Sequence, residues 1–485
     1  KKAEPKAAWR TSPAMPLSDD DFQRRVEVLM KWLRKNGAKF PKVEMSRYAD
    51  EGRDLRSTQP IKANEEIIYV PRKCIIEVQQ GKECKIGRAV RNEAKGWVSG
   101  HTYLAIRMLT ERDLGSKSFF APWFSVLPTD YRAQGMPQYW SEEMKKEIAH
   151  TKTLAKANAV KASIEEMWGR ISKVKAVRKS KWTIEDFAWA RYTVLTRTFG
   201  VDMNGKEATV MVPLADMANH EFDRPSRWKY DDKKRGFVVK VVRDLGVGAN
   251  LTDTYGSKGN DSFLPFYGFC IENNEFNQGR FSLPRQNING VKVSFLSKLA
   301  VSRCAYEAEE DKVKHIDATS DTDASGSKRG GKELFSFVRA LCLNEEEYRR
   351  VARLSLKNKT EHPVSVLNEI RALNQIKSAA NRAIAKFETS IEEDEAILSD
   401  LTKAPKFSWY RNAVLARVGE KRTLQFYVNL ADTMVRLLEQ PSMKAVQSTK
   451  AYSLLRSADR CTEWGYYANK YFDKVVAPLV KKSEK

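Results

Sequence analysis

The sequence predicts an α+β chain: a small β-sheet domain, about residues 21–290, interrupted by a block of helices, then an all-helical domain, about residues 291–485. Three observations predict it. Short β-branched runs occur near residues 67–78 and again near 207–245, with a long stretch of helical periodicity between them. After about residue 300 the periodicity is helical. At 485 residues, the chain also exceeds what one compact core serves.

Residues 1–20 are polar, hold three prolines and read as a loosely held tail. "DDDFQRRVEVLMKWLRKNGA" then has acids in a first turn, an apolar face of Val26, Leu29, Met30 and Leu33, and Asn36-Gly37 as a stop, so it predicts a helix. The period changes in "STQPIKANEEIIYVPRKCIIEV": Ile67–Val70 and Cys74–Val78 read as two strands around a Pro-Arg-Lys turn. From about Gly87 to Phe199 the pattern is helical, clearest in "HTYLAIRMLTER" and "TIEDFAWARYTVLTRTF"; "FFAPWFSVLPTDY" breaks it as an irregular connector. Strands return in "ATVMVPLADM" and "GFVVKVVRDL", with the polar turn "DDKKRG" before the second. In the C-terminal half, "HIDATSDTDASGSKRGGKE" predicts a flexible loop at about 315–332, and its "KRGGK" follows no strand that would make it a phosphate cradle. The long helices around it predict a bundle.

Lys and Arg number 85 against 62 Asp and Glu, a net charge of +23. Such an excess favours a polyanionic neighbour, RNA or an acidic protein surface, unless it is spread over solvated helix faces. The densest acid-free patch is "ISKVKAVRKSKW", Ile171 to Trp182. Six scattered cysteines show no CxxC and read as reduced thiols of an intracellular compartment. Five histidines lack metal-ligand spacing, so no metal is expected. No apolar run approaches about 18 residues, which excludes a helical membrane span. The basic start "KKAEPKAAWR" is compatible with an organellar presequence upstream, mitochondrial or plastid, and leaves cytoplasm and nucleus open.

Three separated stretches carry the chemistry. "EGRDLRST" (51–58), "VPLADMANH" (212–220) and "DTYGSKGNDSFLPFYGF" (253–269) occur in that order with strands around them. Together they resemble the SET-domain protein methyltransferases, in the branch of the Rubisco large-subunit lysine methyltransferase and the actin histidine methyltransferase. The resemblance covers most of the chain. Residues 89–195 match the branch's helical insertion, and "RNAVLARVGEKRTLQFYV" is similar to its helical substrate-binding domain.

The resemblance implies S-adenosylmethionine as methyl donor and a protein substrate docked on the helical domain. An in-line methyl transfer to nitrogen needs orientation and a dry channel, with no covalent nucleophile from the protein. By position, Asp216, Met217, Ala218, Asn219 and His220 would line the cofactor, with Asn219 and nearby carbonyls on its ammonium and the His220 backbone on its adenine. Arg56 and Arg197 would meet its carboxylate. Lys85, Ile86 and Gly87 would supply a backbone contact. Tyr255 matches the catalytic tyrosine. Tyr267 falls on a second channel tyrosine of lysine-modifying members, and Phe199 replaces an asparagine that holds the imidazole in the histidine enzyme; Phe269 would join them as a channel wall. Lysine is therefore the expected target, arriving uncharged despite a free pKa of about 10.4.

One position departs from the pattern. Where the family begins its cofactor site with Gly-x-Gly, this chain has Gly52-Arg53-Asp54, which adds bulk and a negative charge at the second glycine. With the basic run 173–181, this leaves a second reading: a degenerate SET protein kept as a structural or assembly subunit of a large RNA-containing complex such as an organellar ribosome.

Overall fold

The structure is a computed structural model that describes residues 19–48, 52–283, 314–319, 330–352, 362–459 and 463–484. Helix α1 (Asp19–Lys35) buries the stripe its period predicts, Val26, Leu29, Met30 and Leu33. Next come two strands that the sequence reading had not separated, β1 (Val43–Tyr48) and β2 (Gly52–Ser57), paired antiparallel from Val43↔Ser57 to Tyr48↔Gly52. Their inward residues Val43, Met45 and Leu55 alternate with Glu, Arg and Asp, and those charges obscure the period of two.

Six further strands build two small sheets: β3 (Glu66–Pro71), β4 (Ile76–Glu77), β5 (Thr198–Met203), β6 (Lys206–Met211), β7 (Ser226–Asp231) and β8 (Gly236–Val241). Their orders are β3-β8-β7 and β4-β6-β5. The strand expected over Cys74–Val78 shrinks to Ile76 and Glu77. Arg72–Cys74 form a 3-10 turn, and a capping box between Glu77 and Gln80 starts a helix at Val78.

Between β4 and β5 lie α2 (Val78–Glu83), α3 (Lys85–Glu93), α4 (Gly100–Asp113), α5 (Ala121–Phe124), α6 (Glu142–Lys146), α7 (Lys152–Ile171), α8 (Lys175–Ser180) and α9 (Ile184–Arg197). Helix α9 opens with a Thr183–Asp186 capping box and stops at Arg197, where β5 begins. Phe199, expected at a helix end, is thus a strand residue paired with Val210.

Helix α10 (Asn260–Tyr267) ends on Gly268 with φ +80. Strands β9 (Gln278–Leu283) and β10 (Lys314–Thr319) pair antiparallel. His315–Thr319 were expected in a loop and form this second strand instead, and Gly330–Lys332 open a helix; residues 320–329 and the tail 1–18 lie outside the described residues. The helical part continues with α11 (Gly330–Leu341), α12 (Glu345–Ala352), α13 (Val366–Ile384), α14 (Ile391–Ser399), α15 (Trp409–Leu438) and shorter helices to Ser483. Helix α13 packs along α15, and β9 packs on both. No helix among the described residues is long and apolar enough to cross a membrane.

One core fills the sheets and insertion, and another fills the helical part. A third, smaller core joins them: Trp140, Met144 and Ile148 from the insertion, Leu264 from α10, and Ala413 and Val414 from α15. Leu264 is 0% exposed there, a burial contributing roughly 1.5–3 kcal/mol. The segment carrying residues 260–269 is therefore held by the helical domain as well as by the sheets.

Candidate active site

The two motif stretches meet at a parallel bridge between His220 and Asp253. The Asp253 N–H donates to the Asn219 carbonyl at 2.8 Å, and the Glu221 N–H to the Asp253 carbonyl at 2.8 Å. Arg224 Nη1 at 2.7 Å and Trp228 Nε1 at 2.9 Å fix the Asp253 carboxylate. This junction sets Tyr255. Its N–H donates to His220 Nδ1 at 3.0 Å, and its hydroxyl donates to the Ala218 carbonyl at 2.9 Å.

Since His220 Nδ1 accepts, the ring's proton sits on Nε2. Burial, then the Lys258 charge, lowers the imidazole to about 4, so the ring stays neutral. It packs against Tyr255, Phe222 and Phe263 at centroid distances of 4.7–5.2 Å. Burial pushes the Tyr255 phenol up to about 12, which keeps its hydroxyl a donor.

Beside this junction lies a charged cluster. Arg197 Nη1 donates to Asp216 Oδ2 at 3.0 Å and to the Asp216 carbonyl at 2.9 Å, and Trp123 Nε1 donates to the same Oδ2 at 3.1 Å. Burial works against the Arg197 charge, but the Asp216 carboxylate and neighbouring tyrosines outweigh it and the net shift is upward. Burial, then Arg197 itself, lowers Arg53 to about 10. Two guanidiniums thus share one carboxylate.

Among the described residues, buried polar atoms around this cluster without a hydrogen-bond partner include Arg53 Nε, Arg197 Nε, Asp216 Oδ1, His220 Nε2 and the Tyr131 hydroxyl. Buried polar groups are normally satisfied, so this set is built for something that supplies both signs. The amino-acid end of S-adenosylmethionine, a carboxylate beside an ammonium, fits it: the arginines suit the anion and Asp216 the cation.

A pocket of about 460 Å³ opens from the cluster, lined among others by Arg197, Phe199, Ala215, Asp216, Ala218, Trp228, Tyr255, Lys258, Phe266 and Tyr267. Tyr255 and Tyr267, both expected in the channel, line the pocket from one side. Their rings stack, centroids 4.6 Å apart at 23°, and form one wall. Phe199 meets Trp228 edge-on at 5.2 Å and Phe237 at 5.0 Å. Phe269 does not line the pocket; it stacks on Phe263 at 5.2 Å, because Gly268 reverses the chain after α10, and Phe266 takes its place.

Other expected contacts also lie elsewhere. Arg56 sits in β2 opposite Glu44 and bridges to Asn250, off the pocket, and Arg53 stands by Arg197 instead. Lys85, Ile86 and Gly87 form the first turn of α3, packed among α2, α4 and α8 and off the pocket lining. Met217 is 1% exposed, its sulfur 3.5 Å from Arg197 Nη1. Asn219 Nδ2 donates to the Arg53 carbonyl at 2.9 Å. Asp54 is 1% exposed in regular β2, opposite Ser46, with Oδ1 on the Leu55 N–H at 2.8 Å and no positive φ. The strand holds it inside the β1–β2 pair.

Residues of the lining that the resemblance did not point to include Ala215, Trp228, Lys258 and Phe266, and Arg53, beside Arg197 and Asp216 in the charged cluster, was not among the expected contacts either. Lys258 and Phe266 stood in the quoted stretch around Tyr255, but a polar turn residue and a helical aromatic carry no signal of their own.

Comparison with known proteins agrees with this geometry. A SET domain model matches residues 52–256, and a Rubisco LSMT substrate-binding model matches residues 294–424. Curated relatives include the actin-histidine N-methyltransferase of Canis lupus familiaris, 26% identical over 424 residues, which spans 83% of this chain and 68% of that protein. The Homo sapiens protein of the same name is 26% identical over 426 residues, with 83% and 68% covered. Among solved structures, the SET domain of LSMT bound to lysine and AdoHcy superposes with a TM-score of 0.71 at 20% identity, covering 93% of this chain and 99% of the other. Rubisco LSMT bound to AdoMet gives 0.68 at 20%, covering 92% and 99%.

The chain is a SET-domain protein. Within that class it has the domain order in which a Rubisco LSMT substrate-binding domain follows the SET domain, and the solved structures it resembles hold AdoMet or AdoHcy. The comparisons bring no support for an RNA partner or for the assembly-subunit reading.

Proposed function

We propose that this protein transfers methyl groups from S-adenosylmethionine to a lysine side chain of a protein docked on the helical domain. The pocket wall carries the reading: Phe199, Trp228, Phe266, Tyr255 and Tyr267 make an aromatic-lined recess suited to a four-carbon aliphatic stem. Phe199 packs on Trp228 and Phe237 and offers an imidazole no hydrogen bond. That observation favours lysine over histidine, although the relatives with 26% identity are named for histidine.

The donor supplies an electrophilic methyl group on a sulfonium. The protein's own groups orient and exclude water. Arg53 and Arg197 would hold a carboxylate and Asp216 an ammonium, with His220 kept neutral and packed by aromatic rings. The Tyr255 hydroxyl, fixed by the Ala218 carbonyl, gives a placed dipole at the pocket wall. An aromatic recess disfavours a charged ammonium, so a substrate amine entering it loses its proton more readily.

The reading is tested by incubating the protein with methyl-labelled donor and a protein extract, then separating methylated amino acids after hydrolysis. Methyl-lysine is expected. Label in methylhistidine alone, or no binding of S-adenosylmethionine by calorimetry, would overturn it.

A further inference from the structure

Lys258 enters the scheme above only as a secondary influence on His220, behind burial, yet it lines the same pocket as Tyr255 and Tyr267. Its Nζ donates to the backbone carbonyl of Tyr255. No carboxylate lies within ion-pair distance of it among the described residues, although the neighbouring Lys156 is paired to Asp261 at 2.8 Å and bonded to Ser262 at 2.6 Å. Lys258 is half-buried, and an ammonium drawn out of water is held more favourably with an acid beside it.

The local backbone is shaped to permit it. The side chain folds back across Gly256, where a Cβ would lie 2.8 Å from Nζ, and Gly256 has φ +100, a conformation that favours glycine. The turn after the proposed catalytic tyrosine thus returns a lysine amine to that tyrosine's own pocket. Burial, followed by the Lys156 charge, lowers the Lys258 pKa, which raises the fraction of neutral, nucleophilic amine.

We propose that Lys258 is an internal methyl acceptor: the protein methylates this amine in the pocket that receives its substrate's lysine. The proposal rests on the methyl-transfer reading above. In the step, the neutral Nζ lone pair forms an N–C bond to the donor's methyl carbon while the C–S bond breaks. Its electron pair stays on sulfur in S-adenosylhomocysteine, and the product ammonium releases a proton to water before any second transfer. The flexible four-carbon stem lets Nζ leave the Tyr255 carbonyl and sample the pocket.

Two measurements on the full-length protein test this. First, without any donor, trace acetylation across pH followed by mass spectrometry reads the titration of Lys258 directly. The expected midpoint lies below the free-lysine value of about 10.4; a midpoint at or above it would count against a pocket-held amine. Second, the protein is incubated with donor carrying a trideuterated methyl group and digested with a protease that does not cut at lysine. Label is expected on Lys258, at a rate independent of protein concentration and lost in Tyr255→Phe. In Lys258→Arg no label is expected on that peptide. An unlabelled Lys258 in a protein shown by calorimetry to bind the donor overturns the proposal and leaves the methyl-transfer reading standing. Absence of donor binding overturns both.

Discussion

The rings of Tyr255 and Tyr267 lie 4.6 Å apart and nearly parallel, so no aliphatic chain passes between them. The space they border is also lined by Phe199 and Trp228, so the open side of the pocket lies beside the stacked pair and not between its rings. The stack also separates the roles of ring and hydroxyl. The ring contributes wall, while the Tyr255 hydroxyl reaches the Ala218 carbonyl at 2.9 Å.

Tyr255→Phe keeps the stack and removes only the hydroxyl. Methyl transfer measured in single turnovers is expected to fall by about 10²–10³, the usual cost of losing one preorganised donor, with donor affinity unchanged. A variant as fast as the parent would remove the hydroxyl from the mechanism.

Arg197 and Asp216 form a buried pair, with side chains 8% and 0% exposed. Arg197→Met leaves Asp216 without its closest countercharge, and breaking a buried pair from one side costs about 3–5 kcal/mol. The expected result is a lower urea midpoint together with weaker binding of S-adenosylmethionine. Because the pair is out of solvent, salt between 0.05 and 0.5 M, roughly a Debye length of 14 to 4 Å, is expected to leave the loss nearly intact. A variant as stable as the parent would mean Arg53 alone suffices for Asp216.

How far the sequence led is clear from particular residues. Tyr255, Tyr267, Phe199, Arg197 and Asp216, all named from the family resemblance, lie together in the pocket lining. Arg53 was not named, because the resemblance points to its neighbours Asp54 and Arg56, and only the pairing of β2 with β1 decides which of these side chains stands beside Arg197. The misplaced Phe269 has a similar cause: residues 266, 267 and 269 are all aromatic, and only the Gly268 reversal decides which of them faces the pocket. Helix α10, which carries Tyr267, is packed through Leu264 into a core shared with the insertion and α15, a long-range contact that no local period encodes.

The chain just after α10 is also held by Asn412 of α15. Its Oδ1 accepts the Cys270 N–H at 3.0 Å, its Nδ2 donates to the Gly268 carbonyl at 3.3 Å, and its own carbonyl accepts from Cys270 Sγ at 3.2 Å. Asn412→Leu leaves two peptide groups next to Tyr267 unpaired, at a cost of about 1–3 kcal/mol. Burial holds the Cys270 thiol well above its usual range, so it is unreactive in the parent. In the variant, iodoacetamide is expected to alkylate Cys270 at least about fivefold faster at pH 8, as local opening exposes it. Equal rates would show that the third core holds this corner without the asparagine.

Glu420, also on α15, is 4% exposed and accepts the Lys152 N–H at 2.7 Å at the start of α7. Burial pushes its carboxyl up to about 8; the Lys152 hydrogen bond offsets part of this and the Asp261 charge adds to it. The folded chain then keeps this proton up to about pH 8, whereas an unfolded chain loses it near a pKa of about 4.3. Between those values the folded state binds more protons, so stability falls as pH rises and levels off above about 8. Glu420→Gln keeps an acceptor for the Lys152 N–H and has no proton to lose. Relative to the parent it is expected to gain on the order of 2–4 kcal/mol between pH 5 and pH 8 in urea unfolding. If the two chains instead run parallel over that range, Glu420 is ionised in the folded protein, and Lys152 and Arg280 then outweigh burial at this domain junction.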